Sequence, residues 1–308
     1  MARAYLMGRE GVQPGGGRRL GRPRMLRSML RSSIRWGLFA GCLFVAGPVA
    51  WLATGRLHGA DGGHATSALL STTPLLGIAF AIGAVLLAGT LGAATSRLVH
   101  PHNGLFNAGM VLAWAAFGTG TIEAVSRSSL HGGAPLTPRL IIEGAILAAV
   151  AIGCAVLVTP RGGESGSGPA PGARAWGQAV LIGVAAGFVG AWLVAQNGLK
   201  GQTIAAGAAS AVIGGAAAML LDHHAPKAGA LAGVCLMAAL GPLAGLLMHG
   251  SSPERGYAAA AIGGTLLPAA RVMPFDWLAG AFLGAPLGLS LGAWITEGRH
   301  AKPAGQAA

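Results

Sequence analysis

Charge is scarce in this sequence. Only 10% of its 308 residues are Asp, Glu, Lys or Arg, against about 25% in a typical soluble domain. A water-facing surface cannot be assembled from so few charges. Catalytic signatures are missing as well. There is no Gly-x-Ser-x-Gly, no His-Glu-x-x-His, no P-loop and no carboxylate pair placed for acid/base chemistry, so the expectation leans away from an enzyme. Cysteine is sparse and unpaired in spacing. Cys42, Cys154 and Cys235 each fall within an apolar run and read as buried small hydrophobes rather than a disulfide frame or a metal site.

Histidine is present without the company that metal binding needs. His100 and His102, with His223 and His224, sit in turns with no nearby Cys, no helical His-x-x-x-His and one neighbouring carboxylate, Asp222. They read as polar turn residues, and neither a metal nor any other cofactor is expected. The arginines between positions 18 and 35 carry no interleaved aromatic residues, which argues against stacking on nucleic-acid bases.

What is present is apolar sequence. Mean hydropathy is +0.61, and the 53 glycines sit inside long apolar runs, where small residues let helices approach closely in lipid. Six of the seven tryptophans pair around three of these runs: Trp36 with Trp51, Trp176 with Trp192, and Trp277 with Trp294. At ~1.5 Å per helical residue each pair spans roughly 22–26 Å, a little under the bilayer's apolar thickness, where indole rings settle against headgroups. The fold class is therefore all-α: a polytopic integral membrane bundle of about nine helices, over 34–54, 70–95, 104–125, 140–159, 176–196, 203–221, 228–249, 256–272 and 275–296. The eighth is short and ends in Leu267-Pro268-Ala269-Ala270-Arg271, so a half-length or re-entrant segment is the alternative there.

The organisation expected is a basic tail (1–33), a first four-helix block (34–159), a Gly/Ser/Pro linker (160–175), a second four-helix block (176–272), a terminal helix (273–298) and a short tail (299–308). The two blocks share the Trp-Gly to Trp-Leu spacing of their first helices, His/Pro turns after the second, and Ser-Ser pairs at 128–129 and 251–252. That pattern is the basis for expecting an internal duplication. Nine Arg residues precede the first run. Such a tail stays on the cytoplasmic side and attracts anionic lipid headgroups. The basic region is too long, and the run behind it too complete, for a cleavable signal peptide. The Ala, Gly, Arg and Pro content points to a GC-rich bacterium and its inner membrane.

Four kinds of residue stand out as candidate sites. Glu123 and Glu143 are acids at the ends of the third and fourth runs, with Arg127 and Arg139 four residues away on each helix. They form an expected interfacial ion-pair cluster, or alternatively a gate. Asn107 and Gln178 are the best polar candidates to line a cavity. Gly229, Gly233, Gly241 and Gly245, then Gly280, Gly284, Gly288 and Gly292, make four-residue stripes suited to helix packing, with a homo-oligomer seam as the alternative use. Pro48, Pro242 and Pro286 are expected to kink their helices. Asp222 and Asp276, beside turns, are expected to be solvated. Two functions compete: a transporter-like carrier for a small neutral or hydrophobic solute, and a non-catalytic scaffold or assembly subunit. The scarcity of polar residues at mid-span argues against a charged solute.

Overall fold

The computed structural model describes residues 22–64, 66–130, 135–159, 172–222, 225–248 and 253–300. The expectations placed on residues 1–21, 160–171, His223, His224, Ser251, Ser252 and 301–308 fall outside that set. Among the described residues there are helices and connections but no strands. The helices are α1 (Arg22–Gly41), α2 (Gly47–Gly55), α3 (Pro74–Leu98), α4 (Pro101–Phe117), α5 (Ile122–Ser129), α6 (Leu136–Val158), α7 (Ala173–Val194), α8 (Lys200–Leu221), α9 (Lys227–Met248), α10 (Pro253–Ile262), α11 (Pro268–Arg271) and α12 (Pro274–His300).

Among the described residues, eight stretches are long and apolar enough to cross a membrane: Met29–Gly55, then α3, Pro101–Ser129, α6, α7, α8, α9 and Pro274–Glu297. The protein is a multi-pass membrane bundle. The ninth expected span, 256–272, is instead the tail of α10, a turn and the four-residue α11. The reason is local. Gly263-Gly264-Thr265 interrupts the helix with Gly264 at φ +71°, a left-handed conformation that favours glycine. Pro268 then starts a new helix instead of continuing the old one.

Proline and glycine act in pairs to shape the rest. Pro48 has no N–H to offer the carbonyl four residues back, and just ahead of it Cys42–Ala46 wind as a π-helix joining α1 to α2. Pro242, inside α9, withholds the donor that would meet the Ala238 carbonyl. Gly144 of α6 lies directly against that oxygen, leaving no room for a Cβ. A freed carbonyl in an apolar bundle needs a close neighbour, and the bare glycine backbone supplies one.

The helices pack as two groups. In the first, α2 lies on α3 and α4, and α3 on α4 and α6, with α4 touching α6. In the second, α7 lies on α8 and α9, and α8 on α9 and α12, with α9 touching α12. Taken in chain order, these are the same adjacencies. Across the divide, α4 meets α12 and α6 meets α9, so third and fourth helices pair reciprocally, and α5 meets α10. α12 thus occupies the fourth place of the second group and forms the middle of the molecule.

The stripe Gly280, Gly284 and Gly288 presses onto the α8 backbone at Ile204, Ala208 and Val212, and Gly292 onto Ala216 and Met219. Gly229 and Gly233 face α7, whereas Gly241 and Gly245 face Ala269, Ala270 and Tyr257. All eight stripe glycines are therefore filled from within the chain. Trp277 corrects the belt expectation. Trp36, Trp51, Trp192 and Trp294 are exposed, but Trp277 is fully buried with its indole N–H unpartnered. It starts a helix enclosed by α4, α8 and α9, so its neighbours are protein and not headgroups.

Candidate functional site

Connections gather at one end of the bundle, the end opposite the start of α1. There the 56–73 connection folds inward: Thr66, Ser67, Ala68 and Ser71 are buried. Irregular backbone at such a place must find partners inside the protein. The Gly120 N–H donates to the Thr66 carbonyl at 2.9 Å, and Ser128 donates to Asp61 at 2.9 Å. The decisive clamp comes from α6. Glu143 Oε2 accepts from the Leu69 N–H at 2.8 Å, and Arg139 Nη1 donates to the Leu69 carbonyl at 2.8 Å. Residues four apart on a helix share a face, so the two charged side chains grip both polar atoms of one residue.

A second charged set lies in the same layer. Lys200, the first residue of α8, places Nζ 2.9 Å from Asp276 Oδ1 and 3.0 Å from Thr119 Oγ1. Thr203 Oγ1 donates to Asp276 Oδ2 at 2.7 Å. Lys200 is 12% exposed and Asp276 1%, while Glu143 is also 1% exposed. The Lys200 ammonium acts on Glu143 at longer range, where the Ala68 N–H and the Ser67 hydroxyl also approach the carboxylate. Two carboxylates and one ammonium are thus held out of solvent where α4, α6, α8 and α12 end. Arg271 mirrors Arg139 by donating to the carbonyls of Ala195 and Gln196, in the connection after α7, and to those of Leu266 and Gly264.

The sequence-derived candidates divide accordingly. Arg139 and Glu143 belong to this layer, though they hold backbone and do not pair with each other along the helix. Glu123 and Arg127 sit on the short α5, beyond the break that ends α4 at Phe117: Glu123 is half-buried against Gly198, and Arg127 is exposed. Asp276, expected to be solvated, is buried. The reason is that α12 enters the bundle directly at Pro274, so its first turn already lies beneath the 195–200 connection. Lys200 was not singled out from the sequence at all.

At the opposite end, Asn107 is buried and donates to Thr95 Oγ1 at 3.3 Å. It also lines a cavity of about 300 Å³ with Arg35, Trp36, Phe39, Asn103 and Phe106. Gln178 is exposed on the outer side of α7, away from that lining. His102 Nδ1 lies 3.2 Å from Ser290 Oγ, and His100 caps α4 by accepting from the His102 N–H at 3.2 Å. Among the described residues no group of three metal-ligating side chains comes together. No family model matches the chain, nor does any curated protein or solved structure.

Proposed function

We propose that this protein is a carrier for a small neutral or hydrophobic solute, and that the Glu143–Lys200–Asp276 layer is its closed gate. The observation behind this reading is the Lys200–Asp276 pair. An ion pair withdrawn from water offers little net stability over an apolar substitute, and ionisable groups kept inside membrane bundles usually serve function. The pair joins α8 to α12 within the second helix group, and the same Lys200 ammonium reaches across to Thr119 of the α4–α5 junction in the first. Parting the groups there breaks the Lys200–Thr119 bond and opens the ion pair to water.

The reciprocal adjacencies support a duplication in which 34–159 and 176–297 are related by an axis along the membrane normal. Carriers built of repeats place their sites where the repeats meet. The basic tail puts the end bearing the start of α1 on the cytoplasmic side of a bacterial inner membrane, and the gate on the far side.

A scaffold is the second reading, and a specific observation favours it. Gly109 abuts Leu283 and Gly144 abuts Ala238, so the seams between the groups are tightly closed below the charged layer.

The test is accessibility. With Cys42, Cys154 and Cys235 replaced by Ala, a cysteine at position 206, buried one turn inward of Thr203, is exposed to a membrane-impermeant maleimide. A gate gives slow labelling that quickens about tenfold in Asp276→Asn, equivalent to ~1.4 kcal/mol in the opening equilibrium, while the protein stays folded. Unchanged labelling with a lowered melting temperature identifies a structural pin and leaves the scaffold.

A further inference from the structure

The cavity beside Asn107 lies far from the charged layer, and its lining is graded. On α1, Arg35 and Phe39 are four residues apart, and on α4, Asn103 and Phe106 are three apart, so each pair shares a helix face. Both helices enter from the same end of the bundle. Arg35 and Asn103 are therefore the shallow residues, and Phe39, Phe106 and Asn107 lie about one turn deeper, ~5 Å along the axis. Phe39 stacks on Phe106 with centroids 6.1 Å apart, Trp36 meets Phe39 edge-on at 5.9 Å, and Arg35 sits 5.4 Å over the Trp36 ring. The result is a cation and an amide at the mouth of an aromatic slot.

The slot opens sideways. Trp36 is 59% exposed, and Phe44 and Val45 beyond it are 72% and 65% exposed, a flank that faces hydrocarbon in a bilayer. From Arg22 to Arg35 the helix holds five arginines and no acid. A ligand suited to this site carries a negative head for Arg35, accepts a hydrogen bond from Asn103, and trails an apolar chain past Phe39 and Phe106. A space of about 300 Å³ is at the lower end for small-ligand pockets and suits a headgroup with its first methylenes, the rest of the molecule staying in the leaflet.

We infer that the groove between α1 and α4 is a binding site for an anionic phospholipid, with the phosphodiester at Arg35 and an acyl chain against Phe39 and Phe106. The site is independent of the gate and survives if the carrier reading fails. A single seated lipid fixes α1, which otherwise touches the bundle only lightly.

The full chain in mild detergent is examined by native mass spectrometry and thermal melting with phosphatidylglycerol, phosphatidylcholine or inorganic phosphate. The expected result is one retained phosphatidylglycerol, a raised melting temperature, and weaker retention of phosphatidylcholine. Arg35→Gln lowers phosphatidylglycerol affinity about tenfold, the scale of one charge-assisted hydrogen bond. Phe106→Ala lowers it as well, and Arg97→Gln, at the same end but outside the groove, leaves it unchanged. Melting without lipid establishes that each variant is folded. Equal losses in Arg35→Gln and Arg97→Gln mean diffuse attraction and overturn the site. Phosphatidylcholine binding as well as phosphatidylglycerol removes the charge from the argument, and competition by inorganic phosphate alone makes it a simple anion site.

Discussion

Glu143 and Asp276 invite comparison. Both are 1% exposed, both lie near the start of the fourth helix of their group, and both face the connection or first turn that begins the second helix. Their partners differ. Glu143 is held by a neutral backbone amide, with an ammonium only at longer range, whereas Asp276 is held by Lys200 directly and by Thr203. Equivalent placement has thus been reached with unequal electrostatics. One carboxylate anchors a folded connection and the other closes an ion pair between helices.

Five single substitutions press on that contrast. The largest effect is expected from Lys200→Met, which strands Asp276 as an uncompensated buried charge and lowers stability by about 3–5 kcal/mol. Denaturation in nanodiscs measures it, and adding Asp276→Asn to the same chain recovers most of the loss. Next come Gly144→Ala and Gly280→Ala, one beside each carboxylate. Each forces a methyl onto a neighbouring carbonyl, at Ala238 and Ile204, and lowers the melting point by the equivalent of about 1–3 kcal/mol. Gly153→Ala, which meets nothing within 4 Å, is the silent control.

Glu143→Gln keeps an acceptor for the Leu69 N–H and costs about 1 kcal/mol. A loss as large as that of Lys200→Met would put Glu143 in the ion pair as well and erase the contrast. The smallest effect belongs to Arg139→Ala, about 0.5–1 kcal/mol, because water replaces part of a half-exposed guanidinium's bond. Proteolysis of the 56–73 connection should quicken before the global melting point moves.

The helices themselves were legible in the sequence, because each is an apolar run of membrane length bounded by Gly, Pro or charge. Seven of the nine expected runs match a spanning helix to within a few residues, and the third matches α4 with α5 appended. Counting was where the site was lost. Nine spans put Lys200 and Asp276 on opposite sides of the membrane; eight put them on the same side, 2.9 Å apart. The run 256–272 had carried both readings, a span and a half-length segment, and Gly264 and Pro268 break the helix there. Glu143 was visible as an acid among apolar residues. Its partner was not, since a backbone N–H 74 residues away carries no side-chain signature. Nor did spacing distinguish the membrane-belt tryptophans from Trp277, whose environment depends on α12 being central.

An even number of crossings has a consequence for how the gene can be cut. α1 begins and α12 ends at the same end of the bundle where α6 finishes and α7 starts. The order of the two halves is therefore immaterial to the finished object. A permuted gene, opened between 159 and 172 and joined from 300 back to 22, is expected to keep the same helix adjacencies.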